Sequence, residues 1–91
     1  MEEVIDITTH YDLETIVKQL EALVGHKATL DRKFRLEYLL GYITDEQLTS
    51  FGFKFISMSN GSGDETPIYR FGDIEAVFVG SIAHIYTATT L

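Results

Sequence analysis

At 91 residues the chain is one domain, residues 1–91, with no room for a second core. A composition that is 45% hydrophobic and 12% aromatic excludes a disordered chain, and the lack of cysteine excludes disulfides, thiolate nucleophiles and cysteine zinc sites together. The net charge of −7 argues against direct nucleic-acid binding, which relies on Lys and Arg at the phosphates, and is compatible with a basic protein partner. Met1 leads into Glu2 and Glu3, unlike a basic signal-peptide start, and no apolar run approaches the roughly 18 residues of a membrane span. The expectation is a soluble cytoplasmic protein.

In chain order, Val4-Ile5-Asp6-Ile7 reads as a short first strand. Leu13, Ile16, Val17, Leu20, Leu23 and Val24 then recur at the spacing of a helix with one buried face. Thr9 is its expected N-cap, with Asp12 placed for the helix dipole, and Gly25 its stop. Residues 28–43 carry two conflicting patterns. Lys33 to Leu39 alternates like a strand, whereas Asp31 resembles an N-cap and Leu36, Leu39, Leu40 and Ile43 share a helical face. The good helix formers in this stretch favour the helix.

Thr44 and Gln47 have capping-box spacing, flanked by Ile43 and Leu48 as a hydrophobic staple, so a short helix is expected up to Gly52. Phe53 to Met58 reads as a strand, and Ser59 to Pro67 as a long polar loop. Gly72-Asp73 and Gly80-Ser81 are Gly-led connections of the kind found in tight hairpins, separating Ile68 to Phe71, Ile74 to Val79 and Ile82 to Thr87. The expected fold class is α+β. Two or three helices from the N-terminal half pack on one face of a three- to four-stranded antiparallel meander from the C-terminal half. The run from Thr44 to Val79, with Leu48-Thr49-Ser50-Phe51-Gly52-Phe53 and Pro67-Ile68-Tyr69-Arg70-Phe71-Gly72-Asp73-Ile74, resembles small phage accessory proteins in general outline; the likeness implies no activity and no residue role.

No catalytic constellation stands out. His10, His26 and His84 lack metal-ligand spacing, the serines lack a nucleophile elbow, and Gly61-Ser62-Gly63 lacks the Gly-Lys-Ser/Thr ending of a phosphate loop. The expectation is no enzyme, no cofactor and no metal. Two charge features remain. Lys27, Arg32, Lys33 and Arg35 gather four of the seven basic side chains within nine residues. With Arg70, and Tyr38 or Tyr69 alongside, they form a candidate pocket for an anionic ligand or nucleotide. The first third of the chain is acidic, and Glu14 and Glu21 on the first helix offer carboxylates to a basic partner.

Residues 76–91 carry no Asp, Glu, Lys or Arg, although the rest of the chain holds 7 bases and 14 acids. Such a stretch forms inner strands of its own sheet or lies against a second chain. Read as an edge strand, Ile82 to Thr89 meets its copy by sheet extension or face packing in a homodimer or higher oligomer, and Ile82, His84, Ile85 and Tyr86 form the self-association surface. Together these features suggest a small acidic interaction protein that binds and blocks a larger basic, nucleic-acid-binding partner, in the manner of a phage or mobile-element inhibitor. The alternative is an anion-sequestering module built on residues 27–35.

Overall fold

The computed structural model describes residues 11–33, 35–61 and 64–88. The expected strand Val4 to Ile7, the expected cap Thr9 and the last three residues of the uncharged tail lie outside them. The elements in chain order are α1 (Leu13–Val24), β1 (Thr29–Asp31), β2 (Glu37–Gly41), α2 (Asp45–Phe51), β3 (Lys54–Gly61), β4 (Asp64–Phe71), β5 (Ile74–Val79) and β6 (Ile82–Thr87). The fold is α+β as expected, with two helices, but the antiparallel sheet has six strands instead of three or four, because β1 and β2 of the N-terminal half join it in the order β1-β2-β6-β5-β4-β3.

Both helices start and stop on local chemistry. The cap of α1 is Asp12, not Thr9: its carboxylate accepts the Thr15 backbone N–H at 3.3 Å and the Thr15 hydroxyl at 2.6 Å. Gly25 ends the helix at φ 85, a left-handed conformation that only glycine adopts cheaply. Leu13, Ile16, Val17 and Leu20 are buried, while Leu23 turns out to be exposed. The expected capping box opens α2, with Thr44 accepting the Gln47 N–H at 3.1 Å and Gln47 accepting the Thr44 N–H at 2.9 Å. The staple residues Ile43 and Leu48 are both buried.

Three expectations about the sheet need correction. Residues 28–43 hold two strands instead of a helix. Tyr38 and Leu40 point to the core face while Glu37 and Leu39 point away, and β2 finds its partner in β6, so long-range pairing overrides local helix propensity. The expected polar loop, 59–67, is mostly the β3–β4 hairpin, paired Ser59 with Thr66, Asn60 with Glu65 and Gly61 with Asp64. Ladder bonds are made by the backbone, so a polar sequence can supply them. Lastly, β6 is not an edge. It pairs with β2 on one side and β5 on the other, so the uncharged tail is an inner strand of the protein's own sheet and is closed to self-pairing through its edge. Gly72 and Gly80, at φ 59 and 65, lead the two expected hairpin turns.

The register assigns each side chain to a face. Tyr38, Leu40, Tyr69, Phe71, Ile74, Ala76, Phe78, Ala83 and Ile85 share the face on which both helices pack, and with Leu13, Ile16, Val17, Leu20, Leu48 and Phe53 they form the core. Arg70, Glu75, Val77, His84, Tyr86 and Glu37 share the other, on which no described helix lies. Asp73, buried in the β4–β5 turn, accepts the Tyr11 N–H at 3.0 Å and so ties the approach to α1 to the sheet. No described helix is long and apolar enough to cross a membrane.

Candidate functional site

The sequence points first to the basic residues, and the structure separates them. Lys27 is exposed just past the end of α1, and Arg32 and Lys33 are exposed in the β1–β2 connection, where the Lys33 backbone N–H donates to Asp31 at 2.9 Å. Arg35 and Arg70 do come together, on the helix-free sheet face, but as members of a closed network. The Arg35 guanidinium lies 3.7 Å from the centroid of the Tyr86 ring, and its Nε is 3.4 Å from Glu37. Tyr86 donates its hydroxyl to Glu75, which also receives Arg70 at 2.6 Å. Glu37 reaches His84 at 3.7 Å. Burial, reinforced by the Glu75 carboxylate, pushes the Tyr86 phenol up to about 12.

Each arginine of this network already faces a carboxylate. An incoming anion would have to displace Glu37 or Glu75, so the geometry does not favour the anion pocket. Tyr69 cannot join Arg70 there, because neighbours in a strand point to opposite faces. Tyr38 likewise sits on the helix-covered face.

The candidate self-association surface is also divided. Ile82 is 40% exposed and His84 partly exposed on the helix-free face, but Ile85 is fully buried under the helices and Tyr86 is 8% exposed beneath Arg35. Of the acidic pair on α1, Glu14 makes an exposed ion pair with Lys18 at 3.6 Å, whereas Glu21 turns inward to accept the Ala28 N–H at 2.7 Å. Among the described residues no three His, Asp or Glu side chains cluster in a way that could hold a metal.

A different surface emerges on the helix side. Residues 42–45, where β2 leads into α2, face β4, β5 and the β5–β6 turn across a gap. A groove of about 660 Å3 opens there, with Tyr69 and Phe78 on its walls, Pro67 and the Gly80-Ser81 turn at one end, and Tyr42 and Asp45 at the rim. The Tyr69 and Phe78 rings meet at 88° with centroids 5.9 Å apart. Phe55, opposite Tyr69 and 5.6 Å from it ring to ring, and Met58, opposite Pro67, carry this apolar surface out to the β3 edge. Phe55 is 51% exposed and Met58 is also exposed. The register shift between Phe55 and Ser57 leaves Ile56 unpaired, and it too is exposed.

The polar side chains lining the groove are Thr44, Asp45, Ser81 and the phenols of Tyr42 and Tyr69. Burial raises the pKa of the Tyr69 phenol, and the charge and hydrogen bond of Asp45 raise it further. Asp45 also accepts the Glu46 backbone N–H at 2.9 Å. Tyr42 is 86% exposed and stands at φ 60, the only described non-glycine residue with positive φ. For a bulky side chain that is a strained conformation.

Sequence reading missed Tyr42, Asp45, Phe55, Met58 and Phe78 as site residues. The one available signal is the strand pattern at Phe53-Lys54-Phe55-Ile56, which has more apolar positions than a strand with one buried face needs. No protein-family model matches the chain, and no curated protein or solved structure matches it either.

Proposed function

We propose that this chain is a small non-enzymatic interaction protein that acts by occupying a larger, basic partner, and that its contact surface is the aromatic groove together with the β3 edge. One observation carries the reading: Phe55, Ile56 and Met58 stand exposed along β3, and Phe55 and Met58 lie opposite Tyr69 and Pro67 of the groove, on a chain of net charge −7. Scattered surface apolar residues need no explanation, but apolar residues gathered along the outermost described strand of a sheet mark a docking surface. The acidic chain favours encounter with a basic partner. Self-association by edge pairing of β6 is no part of the proposal, because both edges of that strand are used. The inhibitor role suggested by the sequence is compatible with a surface of this size and stays at the level of this proposal.

The test compares the tagged chain with the double variant Phe55→Lys, Met58→Lys, both expressed in source cells after circular dichroism shows the variant folded. Quantitative cross-linking is expected to recover a basic protein with the parent chain that is lost with the variant. An identical set of recovered proteins for both chains would overturn the proposal.

A further inference from the structure

We infer that the groove beside α2 is a recognition site for a cationic side chain, arginine or lysine, presented by a protein partner. The inference rests on the reading of the chain as an interaction protein and specifies the chemistry its groove selects.

Four observations converge. Three aromatic side chains, Tyr42, Tyr69 and Phe78, line the groove, and its one charged lining residue is the acid Asp45. Tyr69 and Phe78 meet at right angles at the base of the groove, where Tyr69 is only 6% exposed, so the half-buried Phe78 offers the more open ring surface. Aromatic faces carry negative quadrupole potential and attract ammonium and guanidinium groups, most strongly where water is partly excluded. Asp45 is held in place by the Glu46 N–H and by Tyr69. A carboxylate so placed supplies the counter-charge that a cation needs as it leaves water, and it would repel an anion. Finally, Tyr42 is kept at the rim in a strained backbone conformation although it is almost fully exposed. Burial therefore does not account for an aromatic there. Its ring meets the His26 ring edge-on at 5.4 Å, and from there it also flanks the mouth of the groove.

The competing occupants fit less well. A neutral apolar ligand gains nothing from Asp45 and takes water away from it. An anionic ligand meets the same carboxylate on a chain of net charge −7. Arginine suits the site somewhat better than lysine, since its guanidinium is planar, stacks on rings and is more weakly hydrated.

The test is an NMR titration of the intact chain with three probes: N-acetyl-arginine methylamide, its lysine counterpart and its norleucine counterpart. Saturable shifts of the Tyr42, Tyr69 and Phe78 ring signals are expected with a cationic probe at a Kd on the order of 1 mM, and none with norleucine. Asp45→Asn is expected to weaken binding about fivefold or more, whereas Glu46→Gln, the same charge change one residue outside the groove lining, weakens it less than about twofold. Tyr42→Gly should weaken cation binding while the circular-dichroism spectrum stays that of the folded parent, which separates loss of the ring from loss of the fold. Absence of saturation, an equal response to norleucine, or equal losses in Asp45→Asn and Glu46→Gln would each overturn the inference. A partner that depends on Phe55 and Met58, with no cation response, overturns this inference and leaves the interaction reading standing. Cation binding with no such partner supports the cation site and overturns the interaction reading.

Discussion

Arg35 lies with its guanidinium 3.7 Å from the centre of the Tyr86 ring, and this lid leaves Tyr86 only 8% exposed on a sheet face where no described helix packs. Beneath the lid the phenol donates to Glu75, and Glu75 holds Arg70. Side-chain stacking and paired charges thus do for this face what helices do for the other. The stacked arginine contributes as much through its flat hydrocarbon-and-guanidinium surface as through its charge.

Tyr86→Phe keeps the ring under Arg35 and removes the hydroxyl. It is expected to cost about 1–2 kcal/mol in urea unfolding near neutral pH. The folded chain holds the phenol proton up to about 12, against 10.0 for a free tyrosine, so the unfolded chain releases it first. The stabilisation is therefore complete below pH 10 and lost as the pH rises towards 12. Parent stability should fall across that window, and the fall should be shallower in Tyr86→Phe. Equal alkaline slopes would remove Tyr86 as its source.

Asp73→Ala should cost about 1–3 kcal/mol, because it leaves the Tyr11 N–H without its acceptor and removes a buried carboxylate from the turn. Hydrogen exchange gives the local readout. The Tyr11 amide should lose protection, while the Ala88 amide, bonded to the Asp73 backbone oxygen at 2.8 Å, should keep it under native conditions.

The two isoleucines of β6 should respond in opposite ways to the same change. Ile85→Lys buries a charge in the core and is expected to cost more than about 3 kcal/mol, unfolding the domain. Ile82→Lys, at a 40% exposed position, should stay within about 1 kcal/mol of the parent and leave the sedimentation coefficient unchanged. A change of assembly state in folded Ile82→Lys would restore β6 as a contact surface through its exposed face.

Gly52→Ala should cost about 2–3 kcal/mol. A Cβ there would stand 2.8 Å from the Phe71 ring, at φ 136, in the middle of the Phe51, Phe53 and Phe71 cluster. Gly41→Ala, with nothing within 4 Å, should change stability by less than about 1 kcal/mol. Thermal melts of the two variants compare them directly.

The elements with self-contained signals were legible in the sequence. The stripe on α1, the capping box of α2 and both glycine-led hairpins depend on residues within a few positions of each other, and each is present. Residues 28–43 were misread because their state is decided by β6, more than 40 positions away: Leu39 becomes a strand residue by lying opposite His84. The polar hairpin 59–67 was misread for the related reason that backbone pairing leaves little trace in side-chain type. The groove was less legible still. Its lining comes from the β2–α2 connection, β4, β5 and the β5–β6 turn, stretches far apart in the chain that only the folded sheet brings together.

The position of β6 also sets an order of events. With the strands arranged β1-β2-β6-β5-β4-β3, the described strands made before residue 82 form a two-stranded piece and a three-stranded piece with no ladder between them. On the ribosome neither piece can bury its inner edge until residues 82–87 clear the exit tunnel. Joining them then closes a loop from Glu37 to Tyr86 in one late, long-range step. The uncharged segment that would be the stickiest part of a nascent chain is thus also the last strand of the sheet to emerge, which shortens the time it spends unpaired.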